Sequence, residues 1–226
     1  MVPVVIVPTF NEAENIGPLV AALRAAVPGV HVLVVDDASP DGTARRAAEA
    51  GAEVLRREGV RGLGPAYRAG FAKALADGHD AILQMDADFS HDPADVPRLM
   101  GALNDADLVL GSRYVAGGGT LNWGRGRRLL SRTGGLYARG VLGVGVHDLT
   151  GGFKAWRAAT LRAVTRDPLG ADGYAFQVET TWRAVLGGAR VVEVPIVFTE
   201  RREGASKMST AIVLEAVWRI PQLRLR

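Results

Sequence analysis

Short β-branched runs set between helix-length stretches constrain this chain more than any other feature. Val4–Val7 is continuously apolar, and Val30–Val35 and Ala81–Met85 are apolar but for His31 and Gln84, rather than alternating. A strand that is apolar on both sides needs cover on both sides, and a parallel sheet wrapped by helices supplies it. The spacing predicts strands at Val4–Val7, Val30–Val35, Glu53–Leu55, Ala81–Met85 and Leu108–Leu110. Helices are expected at Glu12–Ala26, Gly42–Ala50, from the Gly62-Leu63-Gly64 turn to Ala76, and at Asp95–Leu103. Strands and helices in that alternation make a doubly wound α/β arrangement. The 226 residues suit one such domain.

The second half has a different texture. Gly117–Thr120 is expected to be a flexible loop, Arg125–Leu142 a basic helix and Tyr174–Leu186 another helix. Arg190–Phe198 has strand character, Thr199–Ser206 is a charged loop, and Thr210–Leu223 is an apolar-faced last helix stopped near Pro221. The absence of cysteine excludes disulfides and thiolate metal sites. No run approaches the roughly 18–20 apolar residues of a spanning helix. The apolar start lacks a positive leader and a small-residue cleavage site, so it reads as a buried strand rather than a signal peptide. A net charge of +3 suits an anionic substrate or membrane surface. Dense basic runs with interleaved aromatics are missing, so no nucleic-acid partner is expected.

Ligands of open α/β sheets bind beyond the carboxyl ends of the strands. Three predicted strand ends carry carboxylates: Pro8-Thr9-Phe10-Asn11-Glu12, Asp36-Asp37-Ala38-Ser39-Pro40-Asp41-Gly42-Thr43, and Asp86-Ala87-Asp88-Phe89-Ser90-His91-Asp92. Asp41 before Gly42 has the signature of a helix cap, whereas Asp37 has the weaker claim to that role. Two carboxylates one residue apart after a buried strand repel each other unless a cation lies between them. Asp86 and Asp88 are therefore candidate ligands of a hard divalent ion on a diphosphate.

Together these motifs resemble the inverting family-2 glycosyltransferases of the GT-A fold, with a Rossmann-like, mostly parallel sheet flanked by helices. The finer detail is similar to the dolichol-phosphate (polyprenol-phosphate) mannose synthases. It is carried by Gly62-Leu63-Gly64-Pro65-Ala66-Tyr67, Met85 to His91, Gly111-Ser112-Arg113-Tyr114 and Asn122-Trp123. Asp148-Leu149-Thr150-Gly151-Gly152-Phe153 and Arg201 through Lys207 extend it, so that it covers about residues 3 to 208. The resemblance implies a single catalytic domain over residues 1–226, with a nucleotide-sugar and metal half at 1–111 and an acceptor half at 112–226.

The same resemblance implies roles. Pro8, Phe10, Glu12, Val35, Asp37 and Ala87 line the nucleotide pocket. Asp86 and Asp88 hold Mg²⁺ or Mn²⁺, and Ser90 stands where some relatives have a further ligand, a glutamine. Arg113, Arg127, Ser131 and Arg201 meet the acceptor phosphate, and Arg113, Arg201 and Lys207 meet the donor. Asp88, Arg113, Arg127 and Arg201 form the catalytic set. His91 and His147 are expected to be structural.

The implied reaction moves mannose from GDP-mannose to a polyprenyl (dolichyl) phosphate with inversion. A phosphate monoester, with a second pKa near 6, is already charged at neutral pH and needs no general base. The acceptor implies peripheral contact with the cytoplasmic face of a membrane, with or without an anchoring subunit. Arg125–Leu142 and the last helix are the candidate contacts. Alternatives are a UDP-glucose or other UDP-sugar donor, a hydroxyl acceptor with Asp88 or Asp148 as base, or a non-catalytic nucleotide-sugar-binding subunit.

Overall fold

The computed structural model describes residues 2–171, 173–200 and 218–224. Its main sheet has seven strands: β1 (Pro3–Thr9), β2 (His31–Asp36), β3 (Glu53–Arg56), β4 (Ala81–Gln84), β5 (Leu108–Ser112), β7 (Lys154–Arg157) and β8 (Val191–Pro195). Their spatial order is β3-β2-β1-β4-β7-β5-β8. All pairings are parallel except those of β7, which runs antiparallel to both β4 and β5. A second sheet pairs β6 (Gly119–Leu121) with β9 (Val197–Thr199). The helices are α1 (Ala13–Ala26), α2 (Thr43–Glu49), α3 (Leu63–Ala76), α4 (Val96–Ala102), α5 (Arg125–Leu142), α6 (Ala158–Thr165) and α7 (Gly173–Leu186).

The continuous apolar character of β1 has a direct cause: successive side chains enter two separate cores. Val4 and Ile6 join Leu33, Val35, Ile82, Leu110 and Trp156 on the face covered by α3, α6 and α7. Val5 and Val7 join Val34, Leu83 and Val109 on the face covered by α1 and α4. Each such residue, fully buried, contributes about 1.5–3 kcal/mol of transfer free energy. On the first face α3 comes so close to the sheet that a Cβ on Gly70 would lie 2.6 Å from Ile6 Cγ2 and 3.1 Å from Val35 Cγ2.

The first half follows the predicted alternation, and the second half departs from it in four places. β7 was not anticipated because a lysine at its start reads as a surface residue, yet Lys154 is fully buried. The short helix α6 follows directly on it. The single strand expected at Arg190–Phe198 is two strands in two sheets. They part at Ile196, whose amide donates to the Ser112 carbonyl and whose side chain is buried. Gly119 and Thr120, expected in a loop, pair with that second strand instead. Of the helix predicted at Thr210–Leu223, residues 218–223 are described and are helical, and the helix runs through Pro221 to Arg224 rather than stopping there, with Ile220 and Leu223 buried. Among the described residues, no helix is long and apolar enough to cross a membrane.

Candidate active site

The loops after β1 and β2 are laced together by side chains. Asp36 accepts from the Thr9 hydroxyl (3.0 Å) and from the Ser39 amide (2.9 Å) and hydroxyl (2.5 Å). Ser39 Oγ, Thr43 Oγ1 and Asp41 Oδ2 accept from the amides of Asn11, Glu12 and Ala13 at 3.0, 2.9 and 3.1 Å. The entry to α1 is thus satisfied by the neighbouring loop, and its own N-cap, Glu12, makes no side-chain cap. Burial works against the charge of Asp41, but hydrogen bonds from the Thr43 hydroxyl and from the Ala13 and Thr43 amides outweigh it and hold the carboxyl below its ordinary range. Asp36 and Asp41 are therefore loop anchors.

Asp37 faces a cavity of about 450 Å³, also lined by Pro8, Phe10, Glu12, Asp86, Ala87 and Asp88. This volume suits a small-molecule site. Asp37 pairs with Arg57 and accepts the Gly62 amide at 2.9 Å, which fixes the wall at Arg61–Leu63. Arg61 lies over the Phe10 ring, 4.2 Å from its centroid. Thr150, Gly152 and Gln177 close the far end. Backbone strain gathers at the strand-end turns: Asn11, Ala38 and Phe89 are left-handed, with φ of 59°, 54° and 57°. For alanine and phenylalanine this conformation is unfavourable and marks a turn held in place by its surroundings.

The third turn carries Asp86 and Asp88. Asp88 is buried and accepts the Ser90 amide at 3.1 Å. The Asp86 amide donates to His91 Nδ1 at 3.3 Å. His91 is buried against Phe153 and Phe198, with ring centroids 4.9 and 5.2 Å away. Burial lowers its pKa, more than Asp86 and Asp88 raise it. A neutral ring that accepts at Nδ1 supports the turn from behind. His147 lies elsewhere, 2.8 Å from Glu193.

The donor set fits a hard divalent cation. Two carboxylates one residue apart face one cavity, and among the described residues no group of three or more His, Cys, Asp or Glu is gathered to complete a cage. Mg²⁺ and Mn²⁺ bound to a diphosphate take few protein ligands, the remainder coming from phosphate oxygens and water. Ser90 does not line the cavity, but its hydroxyl is buried without a hydrogen-bond partner among the described residues.

Beyond Thr150 stands a cationic cluster. Arg113 donates to Asp148 from its amide (2.9 Å), Nε (2.8 Å) and Nη2 (2.6 Å), and from Nη2 to Thr150 Oγ1 (3.0 Å). Asp148 is fully buried, which opposes its charge, but the guanidinium and these bonds, with help from Lys154, hold its carboxyl below the ordinary value. The rings of Tyr114, Trp123 and Phe198 surround the Arg113 guanidinium at 5.2, 5.6 and 5.5 Å. Arg127 stacks on Trp123 at 4.2 Å and pairs with Glu200 at 2.8 Å. Its Nε is buried without a hydrogen-bond partner among the described residues. Ser131 accepts from the Tyr114 hydroxyl at 2.6 Å.

The structure thus gathers Pro8, Phe10, Glu12, Asp37, Asp86, Ala87 and Asp88 around one cavity, and Arg113 and Arg127 around Trp123, with Ser131 joined to Tyr114 beside Arg113. Val35, expected in the pocket, is instead a core residue on the α3 face, because its strand position points it away from the strand end. Arg201 and Lys207 lie outside the described residues. Sequence reasoning gave no site role to Arg57, Arg61, Thr150, Gly152 or Gln177. The Thr150-Gly151-Gly152 segment held the signal for two of these, Thr150 and Gly152, since glycine allows close approach.

Comparison with known proteins adds to this geometry. The model of the family described as Glycosyl transferase family 2 matches residues 4–164. Undecaprenyl-phosphate mannosyltransferase of Micrococcus luteus is 50% identical over 217 residues, covering 94% of this chain and 89% of that protein. Polyprenol monophosphomannose synthase of Mycolicibacterium smegmatis is 45% identical, covering 98% and 86% respectively. Dolichol-phosphate mannosyltransferase of Pyrococcus furiosus is 34% identical over 97% of this chain, which spans 62% of that protein. Among solved structures, glucosyl-3-phosphoglycerate synthase from Mycobacterium tuberculosis, in complex with Mn²⁺, uridine diphosphate and phosphoglyceric acid, aligns with a TM-score of 0.76. That match covers 98% of this chain and 78% of the other at 22% identity, a likeness of fold.

Proposed function

The chain belongs to glycosyl transferase family 2 and has the GT-A fold of a glycosyltransferase, and from that premise we propose that it transfers mannose from GDP-mannose to a polyprenyl phosphate. The observation that carries this reading is the adjacency of two sites through Thr150, which both lines the Asp86–Asp88 cavity and accepts from Arg113 of the cationic cluster. One site suits a nucleotide sugar and the other a phosphate monoester.

In this reading an acceptor phosphate oxygen forms a bond to the anomeric carbon while the bond from that carbon to the GDP oxygen breaks, with inversion. Asp86 and Asp88 would hold a divalent cation, which when bound stabilises the charge growing on the departing diphosphate. Arg57 and Asp37 keep the nucleotide wall closed. Arg127, whose buried Nε has no hydrogen-bond partner among the described residues, orients the acceptor dianion, and the Arg113 guanidinium, its fork held by Asp148, adds positive charge beside it. The acceptor brings no proton that must be removed. A hydroxyl acceptor would need a base, and Asp148 is unsuited to that role. It is fully buried, bound bidentately by Arg113, and held in its charged form by that pairing.

The lipid acceptor places the work at a membrane surface, and α5 supports peripheral contact. Leu129 and Leu136 are 66% and 62% exposed on a helix that also carries Arg125, Arg128, Arg132 and Arg139. Exposed apolar residues among arginines suit the interface of an anionic leaflet, here the cytoplasmic face. The helical residues 218–224 join this region, with Arg224 donating to the Val141 carbonyl at 2.6 Å.

The test is transfer from a panel of GDP-mannose, UDP-glucose and UDP-N-acetylglucosamine to a short polyprenyl phosphate, with and without Mn²⁺. Metal-dependent formation of lipid-linked mannose is expected. No lipid-linked sugar under any condition would refute the proposal.

A further inference from the structure

Gln177, which lines the cavity with Asp86, is the last of three buried side chains whose polarity is fixed from one end. The Trp156 indole N–H can only donate, and it does so to Gln84 Oε1 at 2.8 Å. That contact orients the Gln84 amide, whose Nε2 donates to Gln177 Oε1, also at 2.8 Å. Gln177 is oriented in turn, with its amino group directed away from the network. This Nε2 is buried, the residue being 2% exposed, and has no hydrogen-bond partner among the described residues. Native proteins rarely leave a buried donor unpaired, and a ligand oxygen is one way to complete it.

Two observations direct that amino group into the cavity. Gln177 lines it together with Asp86, Thr150 and Gly152. A Cβ on Gly152 would sit 3.5 Å from Gln177 Nε2 and 3.6 Å from Asp86 Oδ1, so the bare glycine leaves both groups open to one space. The backbone at Gln177 is held as well: Lys154 Nζ donates to its carbonyl at 2.8 Å and to Thr180 Oγ1 at 3.3 Å.

The order of strands decides what fills that space. Across β2, β1, β4 and β7 the cavity residues are Asp37, then Pro8 to Glu12, then Asp86 to Asp88, then Gly152. A nucleotide sugar with its nucleoside beside Asp37 and its diphosphate at Asp86–Asp88 has its transferred sugar left for the Gly152–Gln177 end. A neutral donor there suits a neutral hydroxyl. We propose that the Gln177 amide donates a hydrogen bond to a hydroxyl of the transferred sugar, so that Gln177 helps to determine which sugar is accepted. This inference rests on the donor site proposed above.

The test pairs Gln177 variants with monodeoxy analogues of GDP-mannose in transfer to polyprenyl phosphate by the full chain. Gln177→Leu and Gln177→Met each remove the donor, and circular dichroism spectra matching wild type guard against a folding defect. Wild-type kcat/KM should fall on the order of tenfold for one deoxy analogue, the scale of a neutral hydrogen bond. Each variant should lose a similar factor with GDP-mannose and nothing further with that analogue. Equal losses toward every analogue, or unchanged kcat/KM and discrimination, would overturn the inference. A second arm compares binding of GDP-mannose and GDP in the presence of Mn²⁺. Wild type should bind the sugar nucleotide more tightly than GDP and the variants should lose that margin; an unchanged margin overturns the inference even if wild type forms no lipid product, an outcome that separately defeats the transfer reading.

Discussion

Substituting Asn for Asp148 changes almost no volume but removes the counter-charge of Arg113. The Arg113 side chain is 9% exposed and that of Asp148 is 0% exposed, so neither group can turn to water. Removing one partner of a buried pair costs about 3–5 kcal/mol, because the remaining charge is left uncompensated. Arg113 keeps Thr150 and three aromatic faces, which sets the expectation near the lower bound, about 3 kcal/mol. With a urea slope of roughly 2 kcal/mol/M, the unfolding midpoint should fall by about 1.5 M. The double variant Arg113→Met/Asp148→Leu should recover most of that stability while transferring no sugar, since buried pairs are often replaceable by packed apolar residues. The pH dependence has a definite sign. The folded carboxyl lies below its ordinary 3.8, so its stabilisation is complete above that value and is lost as pH falls through the folded value. Wild type should therefore lose stability more steeply than Asp148→Asn below about pH 4. A midpoint shift under about 0.3 M, or a double variant no more stable than the single one, would refute the reasoning.

Asp86→Asn and Asp88→Asn should each lower transfer by roughly two to four orders of magnitude, the several kcal/mol a catalytic cation supplies, with an unchanged circular dichroism spectrum; activity within a few-fold of wild type would count against the cation site. Gly70→Ala forces a methyl against Ile6 and Val35 and should destabilise the chain by about 1–3 kcal/mol in thermal unfolding; an unchanged Tm would show that α3 has room to retreat. Leu129→Glu with Leu136→Glu should weaken co-sedimentation with anionic vesicles without lowering Tm, because both side chains are exposed; undiminished sedimentation would remove α5 as the contact.

The parts of the fold legible in sequence were those where one local rule governs. β1, β2 and β4 announce themselves because each carries a run of at least three consecutive apolar residues, and Asp41 because an aspartate before a glycine at a helix entry has few other uses. What escaped depends on distant partners. Lys154 hides β7, since nothing near it in sequence shows that its ammonium meets the Gln177 carbonyl 23 residues away. Arg113 was legible as a cation for phosphate, but its buried counter-ion lies 35 residues on, and only the fold joins them. Gln177 sits among Ala175, Phe176 and Val178, where the helical pattern reads as plain core. Its role depends on an amide orientation set by Trp156 through Gln84, which no spacing encodes.

The lacing of the first two loops has a consequence for where positive charge comes from. Many α/β proteins receive a diphosphate on the backbone amides at the start of the helix after the first strand. Here the amides of Asn11, Glu12 and Ala13 are occupied by Ser39, Thr43 and Asp41. Those three amides have become masonry, taken up by the neighbouring loop. In the proposed donor site the neutralising charge then has to come from side chains such as Arg61 and from a cation taken up from solution, rather than from these backbone amides. Turnover should accordingly follow the free divalent-cation concentration of the surroundings, which would couple sugar transfer to the ionic state of its compartment.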